Sequence, residues 1–125
     1  MSNLAERMKA DALEAQVFSR KHLVIELDFS VASIEELEAN VDTVEFALKG
    51  GLSDENVAML TRIWGAYLGE SLCRVCTAEW VEQDGKAVLR GANIETCPQD
   101  QISQRLAEGS AHNLADYFRQ TKDQL

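Results

Sequence analysis

The chain has 125 residues, of which 46% are hydrophobic and 26% charged, values that fit one globular domain and exclude a disordered segment. Acids outnumber bases by 21 to 12, and the resulting formal charge of −9 repels nucleic-acid phosphates and anionic lipid. No apolar run approaches the roughly 20 residues that span a bilayer. The sequence therefore predicts no nucleic-acid or membrane partner, and a basic protein surface is the partner that its charge favours.

The N-terminal sequence and the cysteine count bear on the cellular compartment. The segment MSNLAERMKADALEAQ carries charges where an export signal would have an apolar core. An odd count of three cysteines, in a chain without such a signal, favours reduced thiols over a disulfide framework. We therefore expect a cytoplasmic location, free and metal-free thiols, and no cofactor.

The first part of the chain predicts a helix followed by a strand. Residues of about 2–20 place Leu4, Met8 and Ala12 on one side of an amphipathic helix, whose modest apolar face indicates a peripheral position. In the segment near 22–29, HLVIELDF, apolar residues occupy alternate positions. That period of two is typical of a half-buried strand.

A second helix is predicted from Ser33 to the glycine pair Gly50-Gly51. Ser33 stands where a capping residue would, and Glu36 three residues later completes the spacing of a capping box. Apolar residues then recur at helical spacing as far as Leu48. The two glycines favour the left-handed geometry that commonly ends a helix.

The segment near 54–77 predicts the central helix of the domain. Ser53 is a good capping residue, and the helix is apolar around most of its circumference, which is typical of a buried element. Gly65 and Gly69 lie four residues apart on one face, and each costs about 1 kcal/mol of helix propensity relative to alanine. Close approach of a neighbouring element is the usual compensation, with ligand access as the functional alternative. We expect both glycines to face a close neighbour.

A hairpin near 78–91 follows the central helix. Asp84-Gly85 is the residue pair that a type I′ turn prefers. A two-residue loop at this pair sets Trp80 opposite Leu89 and places both side chains on one face of the hairpin.

Pro98 marks the start of two short closing helices, near 99–108 and 111–123, with Gly109 between them. Together the predicted elements give an α+β fold, a helix-rich single domain over residues 1–125. Its small antiparallel sheet, formed by the strand and the hairpin, packs on the central helix.

Two features of the central helix resemble chemistry-bearing motifs. Tyr67, Glu70 and Arg74 would line a pocket beside the glycines, although Glu70 and Arg74 also have the spacing of an ordinary ion pair. Cys73-x-x-Cys76 has redox or zinc spacing, but it lies far from a helix N-terminus and lacks a second ligand pair. We therefore expect structural cysteines and assign no catalytic residue and no metal ligand.

An acidic stripe is the least ordinary surface feature. It consists of Glu35, Glu38, Asp42 and Glu45, at spacings of three, four and three on one predicted helix, with no base before Lys49. Most solvated helices mix charge signs, and like-charged neighbours cost roughly a few tenths of a kcal/mol per pair. The acidic stripe is thus a candidate docking surface for a basic partner, and an ordinary solvated face is the alternative.

Several short motifs occur in order along residues 30–120. The G-x-Y-x-G-E helix of WGAYLGE precedes a tryptophan-bearing hairpin, the segment NIETCP and a closing RLAEG…NLADYF helix pair. In this order they resemble small bacterial domains of unknown function. The resemblance implies an interaction or toxin-immunity role and supplies no catalytic residue.

Three functional hypotheses follow. The first is a non-catalytic acidic interaction protein, an immunity or inhibitor-type binder of a basic partner. The second is a small enzyme or ligand-binding domain with a pocket around Tyr67 and Glu70. The third is a structural subunit whose first helix pairs with a second copy as a homodimer. A buried polar cluster around Glu70 that faces a cavity would favour the second, and a flat acidic patch with no cavity would favour the first.

Overall fold

Helices and one three-stranded antiparallel sheet make up residues 3–125, the part of the chain that this computed structural model describes. The predicted α+β architecture is confirmed. Two short 3-10 turns lie at Val41–Thr43 and Ser110–His112. The elements in chain order are α1 (Leu4–Leu23), α2 (Val31–Asn40), α3 (Val44–Ala47), α4 (Asp54–Val75), β1 (Glu79–Gln83), β2 (Lys86–Arg90), β3 (Glu95–Thr96), α5 (Pro98–Glu108) and α6 (Leu114–Gln124).

Helix α4 lies at the centre of the domain, as predicted. The Ser53 side chain accepts a hydrogen bond from the Asn56 N–H at 3.2 Å, which caps the first turn. Every residue in 63–69 is buried, so this stretch of the helix is enclosed on all sides. Helices α1 and α5 make its most extensive contacts. None of the helices in residues 3–125 combines the length and the apolar character that a bilayer span requires.

Helix α1 is longer than predicted and is not peripheral. Met8, Ala12, Ala15 and Ser19 form a buried stripe that packs along α4. The small side chains allow the two helices to approach closely, and the Ser19 hydroxyl accepts a hydrogen bond from the Trp64 indole N–H at 3.1 Å. A narrow stripe of small residues has a weak hydrophobic signal, which is why the sequence underestimated this interface.

The strand predicted near 22–29 is not formed. Residues 22 and 23 end α1, and residues 24–28 pair with no strand in the described part of the chain. The predicted alternation of buried and exposed residues is present. Ile25 and Leu27 are buried, and the flanking residues 24, 26 and 28 are exposed. Side chains replace a strand partner: the Gln16 amide donates to the Leu27 carbonyl at 2.7 Å. A period of two in the apolar residues therefore indicates an extended segment that packs on the core. It does not by itself indicate a strand that is paired in a sheet.

The second helix begins earlier than predicted and is interrupted. Its capping residue is Ser30, whose hydroxyl accepts from the Ser33 N–H at 3.1 Å, while Ser33 itself is buried. The helix tightens into a 3-10 turn after Asn40, whose amide donates to the Glu36 carbonyl at 2.8 Å. The Thr43 hydroxyl donates to the Asn40 carbonyl at 3.0 Å. These side chains compete with the backbone for helical carbonyls, which favours the break.

The hairpin has the predicted register. Trp80 pairs with Leu89, and both turn residues, Asp84 and Gly85, have positive φ angles of 54° and 78° as a type I′ turn requires. Strand β3 adds to β2, and Pro98 then starts α5 at its first turn. The sheet consists of the hairpin and this short third strand alone among the described residues.

Candidate functional site

Tyr67 belongs to the core rather than to a pocket. Its hydroxyl accepts a hydrogen bond from the Phe29 N–H at 2.7 Å and lies 2.5 Å from the Ser33 hydroxyl, to which it is also hydrogen-bonded. The ring is buried and stacks on the Phe29 ring, with centroids 4.9 Å apart. Burial is the main cause that raises the pKa of Tyr67 above its ordinary value. The residue anchors the extended segment against α4.

Glu70 holds Trp80, the tryptophan of the hairpin. The Trp80 indole N–H donates to the Glu70 carboxylate at 2.8 Å. The indole ring lies directly on the helix backbone at Gly69, where an added Cβ would stand 2.2 Å from a ring carbon. At Gly65 the corresponding atom would lie 2.7 Å from the Gln99 Cα. Both glycines face a close neighbour, as predicted.

Arg74 does not pair with Glu70. Its guanidinium carbon lies 3.7 Å from the centroid of the Phe29 ring, a cation–π contact. Within residues 3–125 the guanidinium forms no ion pair with a carboxylate. The expected i,i+4 pair is therefore absent, and both side chains keep charged atoms available at the surface.

Glu70 and Arg74 nevertheless line one open groove, without Tyr67. The groove lies between α1, α4 and the start of β1 and has a volume of about 480 Å³. We call it the Lys9 groove. The charged, thiol and aromatic side chains that line it are Lys9, Glu70, Cys73, Arg74, Glu79 and Trp80. It brings together two of the three residues that the sequence proposed for a pocket.

A second and larger groove, of about 620 Å³, lies between α1, α4, the hairpin turn and α5. Four of its five charged side chains are paired within the chain, Arg7 with Glu82 at 3.2 Å and Arg62 with Asp11 at 2.6 Å, and Asp54 is in no ion pair with the described residues. These pairs neutralise one another, so the larger groove offers a ligand fewer unpaired charges than the Lys9 groove does.

The three cysteines are free thiols in separate surroundings. Burial raises the pKa of Cys73 to about 11, and it also raises the pKa values of Cys76 and Cys97. Thiols with raised pKa values are poor nucleophiles at neutral pH. The part of the chain that the structure describes contains no group of three or more His, Cys, Asp or Glu side chains that could hold a metal ion.

The acidic stripe is largely tied to the C-terminal helices. Glu38 accepts from the Arg105 guanidinium at 2.9 Å and from the Leu114 N–H at 2.8 Å. Arg105 is buried and also reaches Asp42 at 2.9 Å, and this hydrogen bond is the first cause that lowers the pKa of Asp42. Glu35 pairs with Arg119 at 2.5 Å. Three members of the stripe therefore have cationic partners inside the chain.

Glu45, the fourth member, lies beside a large exposed aromatic. Phe46 exposes 82% of its surface, and Glu45 has no ion-pair partner among the described residues. Asp42, at i−3 from Glu45, keeps 73% of its side chain exposed although it contacts Arg105. Within the acidic stripe, the surface that remains free thus consists of Glu45 and the exposed part of Asp42, and Phe46 follows Glu45 directly in the chain.

Sequence reasoning missed both Arg105 and Phe46, and each left a signal. Arg105 follows Ile102 by three residues, in the inward phase of α5, where a charge needs a buried partner. Phe46 stands outside the apolar period that runs through Val41, Val44 and Leu48, so its ring was predictable as exposed.

Comparisons with protein-family models, with curated proteins and with solved structures find no match to this chain.

Proposed function

We propose that the protein is a non-catalytic interaction protein of the cytoplasm that binds a basic protein partner through the surface around Phe46. We define the Phe46 patch as the exposed residues of segment 42–55 that carry negative charge or apolar surface: Asp42, Glu45, Phe46, Leu52, Asp54 and Glu55. An immunity or inhibitor role against a basic protein is the specific form of the proposal, in keeping with the resemblance to small bacterial domains. The 82% exposure of Phe46 among acids is the observation that carries it.

An exposed aromatic ring surrounded by charge is suited to be an interface anchor. A phenylalanine that remains in water forgoes about 1.5–3 kcal/mol of burial energy, which a partner with an apolar recess would recover. Aromatic residues are enriched at interfaces, and a few of them carry much of the affinity. Acids at the rim then favour a basic partner by steering its approach.

The Phe46 patch is held in place by the start of α4. The Asn56 amide donates to the carbonyls of Lys49 and Gly51 at 3.1 and 2.7 Å and closes the loop between α3 and α4. A Cβ added at Gly51 would lie 3.8 Å from the Glu45 carbonyl oxygen, so the loop folds back beside the residue that precedes Phe46. A loop ordered before binding loses less entropy in the complex.

The distribution of cations supports a basic partner. Every arginine except Arg74 is in an ion pair within the chain. In segment 42–55 Lys49 is the single base, against four acids. Most of the arginine charge is therefore neutralised within the chain, and segment 42–55 carries a net negative charge.

The experiment is a binding measurement on a partner captured by cross-linking in the native host and then purified. We expect Phe46→Ala to weaken binding by about 30-fold, the loss of roughly 2 kcal/mol typical of an interface anchor. The double variant Glu45→Lys with Asp54→Lys should weaken it as well, and wild-type affinity should fall as salt rises. Isothermal titration at low and high ionic strength measures both effects.

Matched controls separate the Phe46 patch from charge and apolar surface in general. Asp123→Lys reverses another exposed acid, one that is in no ion pair with the described residues, and Leu13→Ala removes another exposed apolar side chain, 59% accessible. Both controls should bind as the wild type does. Equal affinity of Phe46→Ala and wild type, or binding that is indifferent to salt, would refute the proposal.

A further inference from the structure

We propose that the Lys9 groove binds a small zwitterion, a molecule that carries both a carboxylate and an ammonium group, as a free amino acid does. This site is separate from the Phe46 patch and is independent of the function proposed for it. Four charged side chains in the described part of the chain line the groove without pairing with one another.

The groove has as many positive as negative side chains, and these do not form ion pairs with one another. Lys9 and Arg74 supply two positive charges, and Glu70 and Glu79 supply two negative charges. None of the four takes part in an ion pair in residues 3–125. Separated charges of both signs complement a ligand that is itself neutral overall and charged at both ends.

The acidic end of the groove is fixed in orientation. Glu70 uses one oxygen to accept from the Trp80 indole at 2.8 Å, and its other oxygen accepts no hydrogen bond within the described residues. That oxygen is available to accept from an ammonium group. The Trp80 ring is in turn locked against the backbone at Gly69, so the carboxylate and the indole form a rigid corner.

The remaining walls suit an apolar ligand body. Trp80 presents a large aromatic side chain, and Ala5 and Ala78 line the groove with small apolar ones. The volume of about 480 Å³ lies within the range of small-molecule sites, which is roughly 300–1,000 Å³. Lys9 and Arg74 would bind the carboxylate, Glu70 the ammonium group, and Trp80 the side chain of the ligand.

The test uses three probes of one shape. L-phenylalanine carries both charges, phenylalanine amide lacks the carboxylate, and phenylpropionate lacks the ammonium group. In NMR titrations we expect L-phenylalanine to shift the Trp80 indole N–H signal with a Kd of about 1 mM, and each analogue to bind about tenfold more weakly. The Trp64 indole, buried and bonded to Ser19, is the internal control and should not move.

Single substitutions locate the binding site. Lys9→Gln removes a positive charge from the groove, and Glu70→Gln keeps an acceptor for Trp80 but removes the negative charge. Each should raise the Kd for L-phenylalanine about tenfold. Lys21→Gln, on an exposed part of the same helix outside the groove, should leave it unchanged, as should Phe46→Ala.

Three results would overturn the inference. The first is an unmoved Trp80 signal at about 10 mM L-phenylalanine, a concentration that would saturate a millimolar site. The second is equal binding of the three probes, which would show that the charges are not read. The third is an equal Kd for Lys9→Gln and Lys21→Gln.

Discussion

The contact between Gly69 and Trp80 shows how one residue without a side chain determines the position of another with a large one. The indole can lie on the backbone of α4 only because Gly69 has no Cβ. With the ring in that place, its N–H reaches the Glu70 carboxylate at 2.8 Å. The glycine therefore attaches the hairpin to the central helix and shapes one wall of the Lys9 groove.

Replacing Gly69 by alanine should destabilise the protein, although alanine is the better helix former. The new Cβ would stand 2.2 Å from the Trp80 ring, so the ring must move away and its burial is lost. Overpacking of this kind costs about 1–3 kcal/mol, which exceeds the gain of about 1 kcal/mol in helix propensity. Urea denaturation of both proteins measures the difference in the free energy of unfolding.

The control is the same change without the obstructing ring. In a Trp80→Ala background the new Cβ would still lie 3.2 Å from the Pro98 side chain, so Gly69→Ala should cost less than it does in the wild type and raise stability by at most about 1 kcal/mol. A stabilising effect of Gly69→Ala in the wild-type background would show that the ring moves aside without cost.

At the scale of elements, Arg105 joins three helices. It projects from α5, pairs with Glu38 of α2, and through that carboxylate reaches the first N–H of α6, at Leu114. The Asp42 carboxylate closes the cluster at 2.9 Å. Because Arg105 exposes only 2% of its surface, its charge depends on these partners.

Arg105→Met should cost about 3–5 kcal/mol, because it removes the partner of the largely buried Glu38 carboxylate. Arg119→Met breaks an exposed pair with Glu35 and should cost less than about 1 kcal/mol. Chemical denaturation of the two variants compares a buried arginine of α5 with an exposed arginine of α6, each paired with a carboxylate of α2. Similar losses for both would show that burial does not govern the stability of these contacts.

The sequence predicted those elements whose signal is local. The limits of α4, the turn at Asp84-Gly85 and the start of α5 at Pro98 all depend on propensities of neighbouring residues, and the structure has each of them. The prediction of a strand near 22–29 was wrong, because the hydrogen-bond partners of this segment are side chains distant in sequence. Long-range hydrogen bonds of that kind leave no periodic trace.

The two candidate sites could likewise be predicted from the sequence only in part. The acidic stripe was visible as spacing, but its neutralisation by Arg105 of α5 and Arg119 of α6 depends on how these two helices lie beside α2. The Lys9 groove was half visible, since Glu70 and Arg74 share one helix face. Its other positive charge comes from α1, some sixty residues earlier, and only the packing of α1 along α4 places it there.

At the scale of the whole molecule, charge decides which contacts with other molecules are favourable. Paired arginines leave an acidic exterior, and the formal charge of −9 makes copies of the chain repel one another. The same field attracts a basic surface to the Phe46 patch. Long-range electrostatics therefore opposes the homodimer proposed from the first helix and favours the complex with a basic partner.

We therefore expect the protein to be a monomer. The exposed aliphatic residues at α1, Leu13, Val17 and Val24, form a small surface, whereas a stable interface takes about 20–30 residues from each partner. Light scattering behind size-exclusion chromatography should give the monomer mass of 13.9 kDa at about 100 μM protein, in both low and high salt. High salt is the stringent condition, because it screens the repulsion and leaves the apolar contact. A dimer that appears there and is abolished by Val17→Glu would show that α1 pairs with a second copy, and that repulsion alone had kept the copies apart.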